Sequence, residues 1–172
     1  MFDKARLLDA LRARVAADLE ALERRHHDIQ SGSTHEENRP EHAKDTRATE
    51  QSYLARGLAK RVVETIRTTK ALAALQPHRF GPDDPIAVTA LVLISNEAEP
   101  KAPPDNEQTS HEQAWWIIAG AGGFELEQDG VVVRTITPVS PLGRSLLGLQ
   151  AGDEGAVRTP RGERRFEVLF VS

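Results

Sequence analysis

The stretch Val139-Ser140-Pro141-Leu142-Gly143-Arg144-Ser145-Leu146-Leu147-Gly148 decides the fold of the C-terminal half of this chain. Ser140 is a preferred helix N-cap, and Pro141 suits the first helical position because proline lacks the N–H that is unpaired there. Gly148 is placed to end the helix after about two turns. Three leucines recur on one side at helical spacing, namely Leu142, Leu146 and Leu147. The stretch therefore predicts a short capped helix that packs against a neighbouring element.

Runs rich in β-branched and apolar residues surround this helix. In chain order they are Ile86–Ser95, Ala114–Ala119, Gly123–Gln128, Val131–Ile136, Gly155–Thr159 and Arg164–Val171. Asp129-Gly130 joins the third run to the fourth and is a strong signal for a two-residue hairpin turn, and a Pro-Arg-Gly turn joins the last two runs. Trp115 and Trp116 are adjacent, so in a strand they point to opposite faces, and we expect one in the core and one half-buried. Residues 86–172 are thus predicted to form a small antiparallel sheet domain.

The N-terminal half carries a helical pattern with one interruption. Apolar residues recur at steps of three and four, first at Leu8, Leu11, Val15, Leu19, Leu22 and Ile29, and then at Leu54, Leu58, Val62, Ile66, Leu72 and Leu75. One apolar stripe cannot fold alone, whereas two antiparallel stripes can bury each other. Residues 1–76 are therefore predicted to form an antiparallel coiled-coil hairpin with its tip near residues 31–45. The turn-rich segment 77–85 is predicted to be a linker.

The predicted tip is rich in acidic residues, which are Glu36, Glu37, Glu41 and Asp45. Thr34-x-x-Glu37 has the pattern of a capping box, and acidic residues are favoured at a helix N-terminus. A second interpretation starts from the repulsion among clustered like charges, which mildly favours a role in meeting a cation. Arg39 and Lys44 partly neutralise the cluster. Spacing alone leaves both interpretations open.

Composition excludes several classes of protein. The chain has no cysteine, which rules out disulfides and thiolate metal sites. Its 22 Lys and Arg stand against 26 Asp and Glu, so it is not a globally basic nucleic-acid binder. No apolar run approaches the roughly 20 residues that a membrane span requires, and we expect a cytoplasmic protein with no membrane partner.

The order of the C-terminal motifs resembles the C-terminal domain of the Gre (GreA/GreB) bacterial transcription elongation factors. The resemblance covers residues 137–170 and rests on the motifs Ser140-Pro141-Leu142-Gly143-Arg144-x-Leu-Leu-Gly, Gly152-Asp153, and the hairpin that ends in Phe166-Glu167-Val168. It implies an α+β fold, in which a helical coiled-coil hairpin precedes an FKBP-like antiparallel sheet domain with one short helix.

The resemblance also implies a partner, RNA polymerase. Gre factors dock their C-terminal domain on the rim of the polymerase's secondary channel and insert the coiled-coil tip toward the active centre. By this resemblance the docking residues here are Ser140, Pro141, Leu142, Gly143 and Arg144. The chain is then no enzyme itself but a monomer that acts on the polymerase's own activity and meets the RNA 3′ end or DNA only through that complex.

At the tip, the family holds two acids in the motif Asp-x-x-Glu-Asn, which help bind a second Mg²⁺ so that the polymerase hydrolyses backtracked RNA. Glu37 and Asn38 stand at the Glu-Asn positions, whereas Thr34 occupies the place of the first acid. A neutral hydroxyl is a poor replacement for a charged Mg²⁺ ligand. The resemblance implies Glu37 and Glu36 as ligands of a Mg²⁺ shared with the polymerase, and no cofactor for the chain alone.

Two other functions compete with cleavage stimulation. The first keeps the docking but makes the tip a plug or modulator, as in the Gre-related inhibitors and the DksA-type regulators. The second is an FKBP-like prolyl isomerase or adaptor with a coiled-coil handle, which would rest on analogy of fold alone.

Overall fold

The computed structural model describes residues 2–33, 46–81, 83–96, 112–160 and 162–172. The predicted tip acids, Glu36, Glu37, Glu41 and Asp45, lie outside these ranges, as does Thr34. The chain divides into two compact units. One, the helical unit, is Asp9–Leu75, and the other, the sheet unit, combines Met1–Leu8 with Gln76–Ser172. The predicted linker, residues 77–85, falls within the sheet unit.

The described part of the helical unit consists of two long helices. Helix α1 spans Lys4–Ser33, so its first residues belong to the sheet unit, and α2 spans Thr46–Ala74. The apolar stripes are buried at the start of α1 and the end of α2, where Leu11, Val15 and Leu72 are at most 1% exposed. Further along the stripes most side chains are half-buried, as at Leu19, Leu22, Leu58 and Val62. Leu54, which was predicted to belong to the second stripe, is 64% exposed, so the stripe is not buried at that position. The two predicted helices are confirmed.

Arg12 joins the two helices at this end. Its Nε donates to the carbonyl oxygen of Leu72 at 2.9 Å, and Nη2 donates to the carbonyls of Ala73 and Leu75 at 3.3 Å each. The carbonyls at a helix C-terminus have no partner within the helix, so a cation there satisfies them and interacts favourably with the helix dipole. The start of α1 therefore lies beside the end of α2, as an antiparallel hairpin requires.

The described part of the sheet unit holds a mixed sheet and a short helix. The strands are β1 Leu91–Asn96, β2 Glu112–Ile117, β3 Glu125–Gln128, β4 Val131–Ile136, β5 Glu154–Thr159 and β6 Gly162–Val171. Helix α3, Pro141–Leu146, lies between β4 and β5 in the chain. The strand order is β3-β4-β2-β1-β6-β5, so β3 and β5 are the edges. The predicted α+β class, with helices first and then a sheet domain with a short helix, is confirmed.

One strand pair departs from the antiparallel arrangement. Strands β2 and β4 run parallel, with Ala114 opposite Val133 and Ile117 opposite Ile136. The β3–β4 hairpin forms as its Asp129-Gly130 turn predicts, and both turn residues have the positive φ of a type I′ turn, 52° and 80°. The hairpin joins the sheet through its second strand, which leaves β3 at the edge and sets β4 parallel to β2.

The strand predicted over Ile86–Ser95 begins later, at Leu91. Thr89 has a φ of +76°, which interrupts an extended chain. Its backbone is held there because its N–H donates to Ile117 O at 2.8 Å and its carbonyl accepts the indole N–H of Trp116 at 3.1 Å. Trp116 is fully buried and Trp115 is half-buried, which confirms the prediction for the tryptophan pair.

The core on one side of the sheet is apolar and lies where α3 packs. Its buried members are Ile86, Ala90, Val92, Ile94, Ile117, Ile136, Leu146, Phe166, Val168 and Val171. Leu142 and Trp115 pack against it while half-buried. Within the described ranges, none of the helices has the length and hydropathy of a membrane span.

Candidate functional site

The predicted docking segment forms a single capped turn at the start of α3. Ser140 is the N-cap, with φ −66° and ψ 156°, and its Oγ accepts the N–H of Gly143 at 3.0 Å. The same hydroxyl donates to the carbonyl of Thr137 at 2.8 Å. The N–H of Arg144 donates to the Ser140 carbonyl at 2.9 Å and closes the first helical turn. The local signals in the sequence thus predicted both the helix and its cap.

The five predicted docking residues differ in exposure. Pro141 and Arg144 are exposed, Ser140 and Leu142 are half-buried, and Gly143 is buried. The exposed pair therefore provides the surface that a partner can touch, while the other three hold the turn in place. No ion pair of Arg144 is found among the described residues.

Leu147 was expected to pack with Leu142 and Leu146, and this expectation was wrong. Leu146 is fully buried, but Leu147 is 37% exposed. The N–H of Leu147 still donates to Gly143 O at 3.1 Å in the helical manner. At 3.6 residues per turn, however, Leu147 lies about 140° around the helix axis from Leu142 and so faces away from the apolar side. Gly148 then takes a φ of 86°, as its predicted role in ending the helix requires.

The end of α3 is fastened to the segment before β1. The N–H of Gly148 donates to Ile86 O at 2.8 Å, and the N–H of Ile86 donates to Leu149 O at 2.7 Å. The side chains of Ile86 and Leu146 are both buried in the same core. Backbone bonds at one end and the Ser140 cap at the other hold α3 in a fixed position, although the helix has only six residues.

A groove of about 360 Å³ lies beside the exposed turn. Pro141 and Leu142 line one part of it, and residues of the β5–β6 hairpin, including Val157 and Arg164, line another. Trp115 also belongs to its lining. The lining of the groove thus combines apolar side chains with arginine.

Arg134 forms a second feature that sequence reasoning missed. Its Nε donates to Glu125 Oε1 at 2.9 Å across the β3–β4 pair, and its guanidinium lies over the Trp115 ring at 6.0 Å from the centroid. The indole N–H of Trp115 is buried without a hydrogen-bond partner among the described residues. The signal was present in the sequence, because a two-residue Asp129-Gly130 turn places Glu125 opposite Arg134.

The predicted Mg²⁺ ligands, Glu37 and Glu36, lie outside the described residues, together with the other tip acids Glu41 and Asp45. Within the described ranges, no group of three or more His, Asp or Glu side chains could hold a metal ion. The part of the candidate site that the structure describes is the capped turn of α3 and the groove beside it.

Comparison with known proteins finds similarity to one family over the C-terminal part of the chain. Residues 108–172 match the family model described as "Transcription elongation factor, GreA/GreB, C-term". Residues 108–172 are thus similar to the C-terminal domain of the Gre-type transcription elongation factors. The matched range contains α3 and five of the strands described above, and the predicted resemblance to this family is confirmed.

Individual Gre-type relatives match over different lengths. The chain is 54% identical to the transcription elongation factor GreA of Syntrophobacter fumaroxidans over 37 residues, which are 22% of this chain and 24% of that protein. It is 28% identical to GreA of Syntrophus aciditrophicus over 131 residues, covering 76% of this chain and 69% of the relative. The chain thus spans about a quarter of the first relative's length. Among solved structures, Thermus aquaticus Gfh1 aligns over 92% of both chains with 16% identity and a TM-score of 0.37.

Proposed function

We propose that this Gre-type chain binds RNA polymerase at the secondary channel through its C-terminal domain and directs the tip of its helical hairpin toward the active centre. It modulates elongation or transcript cleavage by the polymerase and catalyses no reaction alone. Any Mg²⁺ at Glu37 and Glu36 is shared with the polymerase active site. The chain works in the cytoplasm and meets RNA or DNA only through the polymerase.

The observation that carries this proposal is the exposed pair Pro141 and Arg144 on a turn whose geometry is fixed. The cap at Ser140 and the bonds between Gly148 and Ile86 hold the turn from both sides. A surface that is ordered before binding loses little conformational entropy in the complex. The segment also lies within residues 108–172, the range that matches the Gre C-terminal family model.

A second candidate function follows from Thr34. A threonine where the family has its first tip acid removes one charged oxygen from the expected Mg²⁺ site. This favours a factor that occupies the channel and slows or redirects catalysis without stimulating cleavage. The two candidates share the docking surface and differ only in what the tip does.

Docking is tested by measuring the affinity of polymerase for the full chain and its variants. Arg144→Glu is expected to weaken binding at least about tenfold, because it reverses a charge at the centre of the contact. Arg79→Glu is the matched control, since Arg79 is another exposed arginine of the sheet unit. If the Arg144→Glu variant is folded and binds polymerase as tightly as the wild type and the Arg79→Glu control do, the proposed docking surface is wrong.

The tip is tested by transcript cleavage in backtracked complexes at saturating factor. Glu37→Ala is expected to abolish any effect on cleavage or elongation while affinity is unchanged. Thr34→Asp is expected to raise cleavage if the wild type stimulates it weakly or not at all. Glu23→Ala, at an exposed acid on α1, is the control. If Glu37→Ala leaves every transcription readout unchanged, the tip does not act on catalysis.

A further inference from the structure

Strand β5 is an edge of the sheet with one row of backbone groups that point outward. Among the described residues it pairs with β6 alone. Just before β5, the carbonyl of Asp153 accepts the N–H of Val168, so Asp153 faces β6. Since successive residues of a strand alternate in direction, the N–H and C=O groups of Glu154, Ala156 and Arg158 point away from β6.

The hairpin turn between β5 and β6 also indicates which backbone groups of β5 point outward. Thr159 lies opposite Gly162 across a two-residue turn, and the pair next to such a turn is a hydrogen-bonded one. Counting back from Thr159, every second residue faces β6, which again leaves Glu154, Ala156 and Arg158 facing outward. Six backbone groups on this edge are therefore aligned to pair with another strand.

The side chains on this row are self-complementary. Glu154, Ala156 and Arg158 are all exposed and lie on one face of the sheet. If a second β5 pairs antiparallel with Ala156 opposite Ala156, Glu154 of each copy lies opposite Arg158 of the other. Opposite charges that face each other across an antiparallel pair stabilise it, and alanine at the axis leaves room for both backbones.

Register within the sheet supplies a further reason for this pairing. On β6, Glu167 lies directly opposite Glu154, and like charges in that position destabilise a strand pair. An arginine on the free side of Glu154 would offset this repulsion. Edge strands that resist pairing carry charges that repel an incoming copy of themselves, whereas here the two charges have opposite signs and mirrored positions.

We propose that β5 is a self-association surface, where a second copy of this chain adds its own β5 antiparallel about a two-fold axis at Ala156. Three residue pairs exchange six N–H···O hydrogen bonds, and two Glu154–Arg158 pairs flank the axis. A contact of one short strand buries less than the roughly 1,000 Å² typical of stable complexes, so the dimer is weak and depends on concentration. The chain is then a monomer when dilute. Polymerase binding is not needed for this association.

Charge reversal tests the register. In sedimentation velocity from micromolar to millimolar concentration, the wild type is expected to shift from monomer to dimer. Glu154→Arg and Arg158→Glu should each weaken the dimer about tenfold or more, because each variant opposes like charges at two places. The double variant Glu154→Arg with Arg158→Glu should restore the wild-type dimer. Each variant's melting temperature reports whether its sheet unit is folded.

Two substitutions at Ala156 test the position of the axis. Ala156→Pro removes an outward N–H without touching the β6 ladder, so it should abolish the dimer and keep the fold. Ala156→Cys introduces the chain's only cysteine. Hydrogen-bonded opposite residues have Cα atoms about 5.5 Å apart, within the range of a disulfide. Oxidation should therefore yield covalent dimers faster than for Ala151→Cys, an exposed control site outside β5.

Three results would overturn the proposal. The first is a wild type that sediments as a monomer at the highest concentration. The second is a dimer that the single charge reversals leave intact or that the double reversal fails to restore. The third is disulfide formation at Ala156→Cys no faster than at Ala151→Cys.

Discussion

The carbonyl oxygen of Thr137 lies so close to Gly143 that a β-carbon on Gly143 would be 2.1 Å from it. Such a separation is far inside van der Waals contact, so the first turn of α3 packs on the backbone that precedes it with no room for a side chain. The same carbonyl accepts the hydroxyl of Ser140. Glycine in the docking segment is therefore required by close packing of backbone on backbone.

Gly143→Ala is expected to destabilise the sheet unit by about 2 kcal/mol or more, because overpacking outweighs the gain of up to about 1 kcal/mol that alanine brings to a helix. Urea unfolding, followed by circular dichroism, measures the change. Gly57→Ala is the matched control, since Gly57 lies within α2 and a β-carbon there meets no atom within 4 Å. That variant should be more stable by about 0.5–1 kcal/mol. Equal effects of the two substitutions would contradict the close approach at Gly143.

Ser140→Ala is expected to cost about 1 kcal/mol of unfolding free energy, because the N–H of Gly143 loses its acceptor at the helix N-terminus. Ser140→Asp should recover only part of the loss, since an N-cap carboxylate accepts the N–H of Gly143 but cannot donate to the carbonyl of Thr137 as the serine hydroxyl does. Ser145→Ala is a suitable comparison, because Ser145 Oγ donates to Leu142 O within the helix and caps nothing. Thermal unfolding of the three variants ranks them by stability. A loss of stability in Ser145→Ala as large as that in Ser140→Ala would contradict the capping role of Ser140.

Arg12→Ala is expected to destabilise the helical unit by about 1–2 kcal/mol, because three carbonyls at the end of α2 lose a charged donor. This loss of unfolding free energy is small for three hydrogen bonds because the Arg12 side chain is 37% exposed, and water can replace part of the bonding. Arg12→Lys should recover only part of the loss, because an ammonium cannot reproduce the planar fork of donors. Urea unfolding would measure both, with Arg14→Ala as the exposed control. A full rescue by lysine would show that charge alone matters.

Lys4 is expected to make stability depend on alkaline pH. Burial lowers its pKa from 10.5 to about 8, while its ammonium lies 4.7 Å from the centroid of the Phe80 ring and donates to His78 O at 2.8 Å. Below a pH of about 8 the residue is charged in both states, and its partial burial costs free energy. Between pH 8 and 10.5 the unfolded chain binds a proton that the native state does not, so stability rises with pH.

Replacement of Lys4 provides the measurement for this pH dependence. The free energy of unfolding of Lys4→Met, relative to the wild type, should fall as pH rises from 8 to 10.5. Over this range the wild type is relieved of the cost of burying a charged ammonium, whereas the methionine variant never carries that cost. Lys60→Met is the control, since the Lys60 side chain is 78% exposed. A difference between Lys4→Met and the wild type that does not change with pH would contradict the lowered pKa.

Much of the candidate site could be predicted because its signals are local. Ser140 and Pro141 start a helix through bonds that span three or four residues, and Asp129-Gly130 sets a turn by its own φ preferences. Leu147 was misplaced because the angular step of about 100° from one helical residue to the next carries it away from the side on which Leu142 and Leu146 lie. The groove could not be predicted, since its lining comes from residues as far apart as Ile94 and Arg164.

The sequence by itself determined the helices, the strands and their turns, because hydrophobic period, caps and glycine conformations act within a few residues. Tertiary structure alone decided the strand order, the parallel β2–β4 pair, the bond from Arg12 to the end of α2 and the outward edge of β5. These depend on which distant segments meet, and that choice is made by the burial of apolar surface summed over the whole unit. A local pattern carries no information about that sum.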